Sequence, residues 1–159
     1  MATEKFIKNK TVLITLLSAC LIVIISLGIR QTFGMFYFDF SIDLGITLSQ
    51  FGFALGLQMF LWGAFAPWFG IITDKYGGHI AVFIGFIFYL AGILLLVSNY
   101  NTGLYFVTGI GVLVGVALGG TAISIPVSVV AKHFPQSNRT AAIGIVTAAG
   151  SFGYFISPV

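Results

Sequence analysis

The sequence predicts an all-α fold, a polytopic transmembrane helix bundle, and three observations predict it. Of 159 residues, 58% are hydrophobic and only 7% are charged, whereas soluble domains are roughly 25% charged. Residues 11–29, 44–73, 76–131 and 140–159 contain no Asp, Glu, Lys or Arg, and a membrane span needs about 20 apolar residues. Twenty Gly and seventeen Phe fit the same class, because Phe is tolerated against lipid and Gly lets helices approach closely where no hydrophobic force draws them together. A water-soluble enzyme is excluded at this point.

About five spans follow, at about 11–37, 48–72, 79–98, 102–131 and 140–159, in one helical domain over residues 1–159. The first begins after Lys5, Lys8 and Lys10. Its Leu17-Ser18-Ala19-Cys20 is similar to a lipoprotein cleavage box, but the chain stays apolar to Ile29, where a lipidated chain would turn polar, so the run reads as an uncleaved helix. A lone cysteine also excludes an intramolecular disulfide framework. The connection at 38–47 carries Asp39 and Asp43, and the second span carries Gly52 and Gly56 on one helical face and Pro67 further on. After the connection at 73–78, with Lys75, comes the third span, then an uncharged turn cluster at 99–103. The fourth span repeats Gly111, Gly115 and Gly119 every four residues, and the fifth, reached through Lys132, His133, Pro135 and Arg139, carries Gly150, Gly153 and Pro158. Such glycine ridges serve either close static packing or sliding surfaces.

Charge sets the expected orientation. Three Lys precede the first span, one lies between the second and third, and Lys132 and Arg139 lie between the fourth and fifth. All fall on one side, which the positive-inside rule makes cytoplasmic, together with the N-terminus. The net charge of +3 is thereby accounted for, and no nucleic-acid partner is expected. Arg30 is the strong charge left inside a span, roughly 28 Å along the first helix from Thr11. An intramembrane arginine costs from about 2.5 to more than 10 kcal/mol. Two readings offset that cost: Arg30 snorkels to headgroups or pairs with Asp39 or Asp43, or its guanidinium anchors an anionic substrate bidentately. Gln31 follows it, and Gln58 in the second span either lines the same cavity or bonds to another helix. His79 and His133 belong to no cluster of metal-ligand spacing, so neither a metal nor any other cofactor is expected, and no catalytic constellation is found.

The segment Gly70-Ile71-Ile72-Thr73-Asp74-Lys75-Tyr76-Gly77-Gly78-His79 resembles the signature of the major facilitator superfamily: glycine, three residues, aspartate, a basic residue, one residue, glycine, then usually two basic residues. The first glycine permits close helix approach, the carboxylate can meet a helix N-terminus or a basic group, and the second glycine permits a tight turn. In the family this loop is cytoplasmic and joins the second and third helices. Gly28-Ile29-Arg30-Gln31-Thr32-Phe33-Gly34, Phe134-Pro135 with Arg139, and Ala148-Ala149-Gly150-Ser151-Phe152-Gly153 with Pro158 resemble the bacterial branch related to monocarboxylate and oxalate/formate carriers. Three departures stand out. Gly78 and His79 replace the two basic residues, Gly111 stands where an arginine four residues before Gly115 is usual, and the adjacent Gly-Pro pair of drug antiporters is missing from the fifth span.

The resemblance implies a secondary active transporter of small organic anions, a monocarboxylate by its branch, working by alternating access in the inner membrane of a bacterium. It implies a basic residue at the substrate on the stretch that holds Arg30, and Gln31 and Gln58 are the further substrate-binding candidates by their positions. Gly70, Asp74, Lys75, Gly77 and Gly78 become a gating loop, and Gly111, Gly115, Gly119, Gly150 and Gly153 become packing positions. Complete members resemble two six-helix halves with the site between them, so a chain reaching Val159 within a fifth span is expected to be an incomplete major facilitator fold. Its expected partners are the anionic small molecule, the lipid bilayer and a missing C-terminal half. The alternative is a truncated, non-transporting membrane remnant, or one piece of a split transporter with a different small-molecule substrate.

Overall fold

A computed structural model describes residues 10–97 and 103–157. Lys5 and Lys8, the turn residues at 99–102 and Pro158 lie outside them. The described residues are helical almost throughout, without a strand, in the order α1 (Lys10–Met35), α2 (Tyr37–Leu44), α3 (Leu48–Tyr76), α4 (Gly78–Val97), α5 (Gly103–Phe106), a π-helical segment (Val107–Leu113), α6 (Val114–Thr121), α7 (Ser124–His133) and α8 (Gln136–Ile156). Four stretches are long and apolar enough to cross a membrane: α1, α3, α4 and the run Gly103–His133. The chain is an integral membrane helix bundle.

Local chemistry sets the boundaries. α2 stops at Gly45, which takes the left-handed conformation at φ 64°. Thr47 then opens α3 with a reciprocal cap: its hydroxyl accepts from the Gln50 amide at 3.2 Å, while the Gln50 side chain accepts from the Thr47 amide at 3.0 Å. α3 continues through Pro67 to Tyr76, and Gly77 turns the chain into α4 at φ 93°. A side chain is strained there, so the tight turn depends on glycine.

Three elements differ from the sequence expectation. The connection expected at 38–47 is largely the helix α2, whose Tyr37 and Phe40 rings pack on Phe51 and Phe106. The fourth span is a chain of α, π and α pieces with a bend at Ala122 and Ile123. The fifth is α8, of 21 residues, whose first turns are the polar Gln136, Ser137, Asn138, Arg139 and Thr140. It is not among the four helices apolar enough to span by composition.

The helices form two compact units. Of the described residues, one unit contains 10–32 and 122–157, so it holds most of α1 with α7 and α8. Its close contacts pair Gly150 with Val23 and Leu27, Gly153 with Ile24 and Gly28 with Ser157. Both sequences advance together, so α1 and α8 run parallel, and Lys10 and Arg139 stand at the same end. The other unit, residues 33–121, holds α2 to α6. In it the run from the π segment through α6 is the buried centre, with α3 and α4 packed on it.

Candidate functional site

In the second unit, glycine decides how near the backbones come. Gly111, Gly115 and Gly119 lie along α3: a Cβ at Gly111 would stand 3.1 Å from the Ala54 carbonyl, one at Gly115 3.0 Å from Gln58 Cα and carbonyl, and one at Gly119 3.2 Å from the Phe65 backbone. A second set fills the opposite face. A Cβ at Gly85 would stand 2.9 Å from the Ala117 carbonyl, one at Gly92 2.8 Å from the Gly109 carbonyl, and one at Gly109 2.9 Å from the Gly92 carbonyl. The sequence reading missed this set, although Ala81, Gly85, Tyr89 and Gly92, all buried, follow helical spacing on α4. Gly52 and Gly56, read as a ridge, are exposed, and a Cβ at either would meet nothing within 4 Å.

Gln58 sits inside this packing. It is fully buried, at 0% exposure, and its Nε2 donates to the Ile110 carbonyl at 3.1 Å. Ile110 belongs to the π segment, where each amide reaches back five residues instead of four, as Val114 does to Gly109. The Gln58 amide therefore ties α3 to the irregular turn. Of the two roles expected of Gln58, the bond to another helix is the one seen in this conformation. Gln58→Met keeps the side-chain volume and removes the donor, and should cost about 0.6–2 kcal/mol of stability in detergent unfolding. No change in midpoint would show the bond to be energetically idle.

The gating segment closes α3. Asp74 and Lys75 are exposed on its last turn, and Lys75 Nζ lies 5.0 Å from the Tyr76 ring centroid. A lysine there complements the helix dipole, whereas the Asp74 carboxylate opposes it. Thr73, just before, is buried at 5% exposure, and its hydroxyl is without a hydrogen-bond partner. Gly77 supplies the turn described above; Gly78 starts α4, half-buried, and His79 is exposed. At Gly70 a Cβ would meet nothing within 4 Å.

Arg30 and Gln31 belong to the first unit. Arg30 is half-buried and Gln31 exposed on α1. Two hydroxyls brace the backbone just before them: Ser157 Oγ donates to the Gly28 carbonyl at 2.6 Å, and Thr32 Oγ1 donates to the Ile29 carbonyl at 2.7 Å. Gly153 makes this bracing possible, since a Cβ there would lie 2.6 Å from the Ile24 carbonyl. Cys20 is a free thiol within α1. No group of three His, Cys, Asp or Glu with metal-binding geometry occurs among the described residues.

No solved structure matches the chain. An uncharacterized MFS-type transporter of Methanocaldococcus jannaschii is 28% identical over 156 residues, which cover 98% of this chain and 38% of that protein. The chain thus spans under two fifths of the length of that relative. The sequence profile of the Major Facilitator Superfamily matches residues 12–159, nearly the whole chain, and with its apolar helices, glycine-packed bundle and turn at Gly77 the chain belongs to that superfamily.

Proposed function

We propose that this chain is the N-terminal part of a secondary transporter that moves a small organic anion, a monocarboxylate, by alternating access. The observation carrying this reading is Arg30, a guanidinium held half-buried in the apolar helix α1 beside a braced backbone. Guanidinium offers five N–H donors in a planar fork, so a contact within the protein leaves donors for a carboxylate. Gln31, the next residue, adds an amide that can orient the anion. Transport rather than catalysis fits a superfamily of transporters.

In this reading the N-terminus and Lys75 face the cytoplasm. Lys10 and Arg139 share one end of their unit, which supports that orientation. Gly70, Asp74, Lys75, Gly77 and Gly78 form a cytoplasmic gate against the C-terminal half. A carboxylate at the unfavourable end of α3 and an orphaned Thr73 hydroxyl both suit a segment whose partners change between states.

The test is saturable uptake of a radiolabelled monocarboxylate by the full-length protein in vesicles, with equilibrium binding measured beside it. Asp74→Asn should lower uptake while binding persists, with the inward–outward balance moved by about 1–3 kcal/mol. Absence of carboxylate binding in the wild type rejects the substrate class. Unimpaired uptake by Asp74→Asn at equal expression rejects the gate.

A further inference from the structure

The residues joining α1 to α3 form a helix with two apolar stripes, and among the described residues only one of them is covered. Tyr37, Phe40, Ser41 and Leu44 make the inward stripe, all half-buried. Tyr37 meets the Phe51 ring at 5.0 Å, Phe40 meets Phe106 at 5.2 Å, and Phe51 and Phe106 lie 5.8 Å apart, so three elements share one aromatic cluster. Beside this stripe, Phe38 is 73% exposed and Ile42 80% exposed. One residue further around the helix, Asp39 and Asp43 are exposed as a pair four residues apart.

What covers Phe38 and Ile42 follows from where the cluster stands. Phe51 is in the first turn of α3, and Phe106 closes α5 at the start of the fourth apolar run. α3 has 29 residues and is therefore about 43 Å long, more than the roughly 30 Å hydrocarbon core. Its first turn thus stands at the edge of the core, and α2 is clamped to that turn. The bilayer already surrounding α3 continues beneath α2.

We propose that α2 is an interfacial helix lying in the headgroup layer on the side of the membrane where α3 begins. Phe38 and Ile42 rest on the acyl chains, Asp39 and Asp43 face water, and the aromatic cluster fixes the roll of the helix between them. An eight-residue helix is too short to persist in water alone. Packing on one stripe and lipid on the other supply what it lacks, and the acidic face sets the depth at which it stops, because carboxylates do not follow apolar side chains into hydrocarbon. The occupant is the lipid surface, and the contact does not depend on which solute the protein carries.

Site-directed spin labelling tests this in the full chain reconstituted into phosphatidylcholine–phosphatidylglycerol vesicles. Cys20→Ser removes the cysteine of these 159 residues, any cysteine of the remaining chain is changed to serine likewise, and Phe38→Cys, Ile42→Cys, Asp39→Cys and Asp43→Cys are labelled one at a time with a nitroxide. All four positions are exposed; Phe38→Cys gives up a ring contact with Tyr37 at 5.5 Å, whereas Ile42→Cys leaves the contacts of Tyr37 and Phe40 with Phe51 and Phe106 in place and repeats the lipid-facing readout. The expected result is a reversal: labels at 38 and 42 collide mainly with oxygen, at a depth of about 5–10 Å, whereas labels at 39 and 43 collide mainly with a water-soluble nickel chelate. Nickel-dominated collisions at all four positions would mean that the helix stands clear of the membrane and would overturn the proposal. Labels at 38 and 42 shielded from both agents would overturn it as well, since protein would then cover the face.

Discussion

Replacing Arg30 with either lysine or glutamine is expected to abolish carboxylate binding by the full-length transporter at concentrations that saturate the wild type. A truncated partner in a desolvated, hydrogen-bonded charge pair costs about 2–5 kcal/mol, which is roughly 30- to 5,000-fold in affinity. Lysine keeps the charge but loses the planar fork, so Arg30→Lys should resemble Arg30→Gln if the carboxylate is gripped bidentately. An arginine serving only to reach headgroups predicts the opposite, because a flexible ammonium snorkels about as well. Isothermal titration with one carboxylate across the three proteins separates these cases. Wild-type affinity in Arg30→Lys rejects guanidinium recognition, and wild-type affinity in both variants removes Arg30 from the substrate altogether.

A valine at Gly153 should destabilise the α1–α8 pair more than a side chain at other glycines. The added Cβ would lie 2.6 Å from the Ile24 carbonyl and 2.9 Å from its Cα, both backbone atoms that cannot turn aside. α1 and α8 must separate, which breaks the Ser157 bond to the Gly28 carbonyl at 2.6 Å. Overpacking together with the lost bond amounts to about 2–4 kcal/mol. Gly63→Ala is the internal contrast: nothing lies within 4 Å of its Cβ, so it should be neutral or slightly stabilising, by up to ~1 kcal/mol of helix propensity. Unfolding midpoints in mixed detergent measure both, and equal midpoints for Gly153→Val and wild type would contradict the packing described here.

That contrast also shows where sequence stops being informative. Uncharged runs of span length point to membrane helices because a charge in lipid is costly, and Arg30 was conspicuous for the same reason. Gly111, Gly115 and Gly119 were legible as one face because helical periodicity alone puts them there. Which glycine faces meet a neighbour is a tertiary fact: Gly52, Gly56, Gly63 and Gly70 are open while Gly85, Gly92 and Gly109 meet backbone, although the residue type is identical. Gln58 could not be assigned from its position, since one amide serves a solute or a helix carbonyl equally well. The helix α2 escaped notice because eight residues with two aspartates have the composition of a loop, and what makes them helical is an aromatic cluster drawn from residues as distant as Phe106.

The π segment changes how this chain must be aligned with its relatives. A turn closed over five residues holds one residue more than an α turn, so Val107–Leu113 behaves as a one-residue insertion that leaves no gap visible in the sequence. Against a relative whose fourth span is α-helical throughout, an ungapped alignment matches residues on one side of the turn a position out, about 100° around the helix. Counting back four residues from Gly115 therefore does not reach the equivalent site in such a relative. The absence of arginine at Gly111 is an observation about sequence number, and the matching position on the helix surface has to be found by structural superposition.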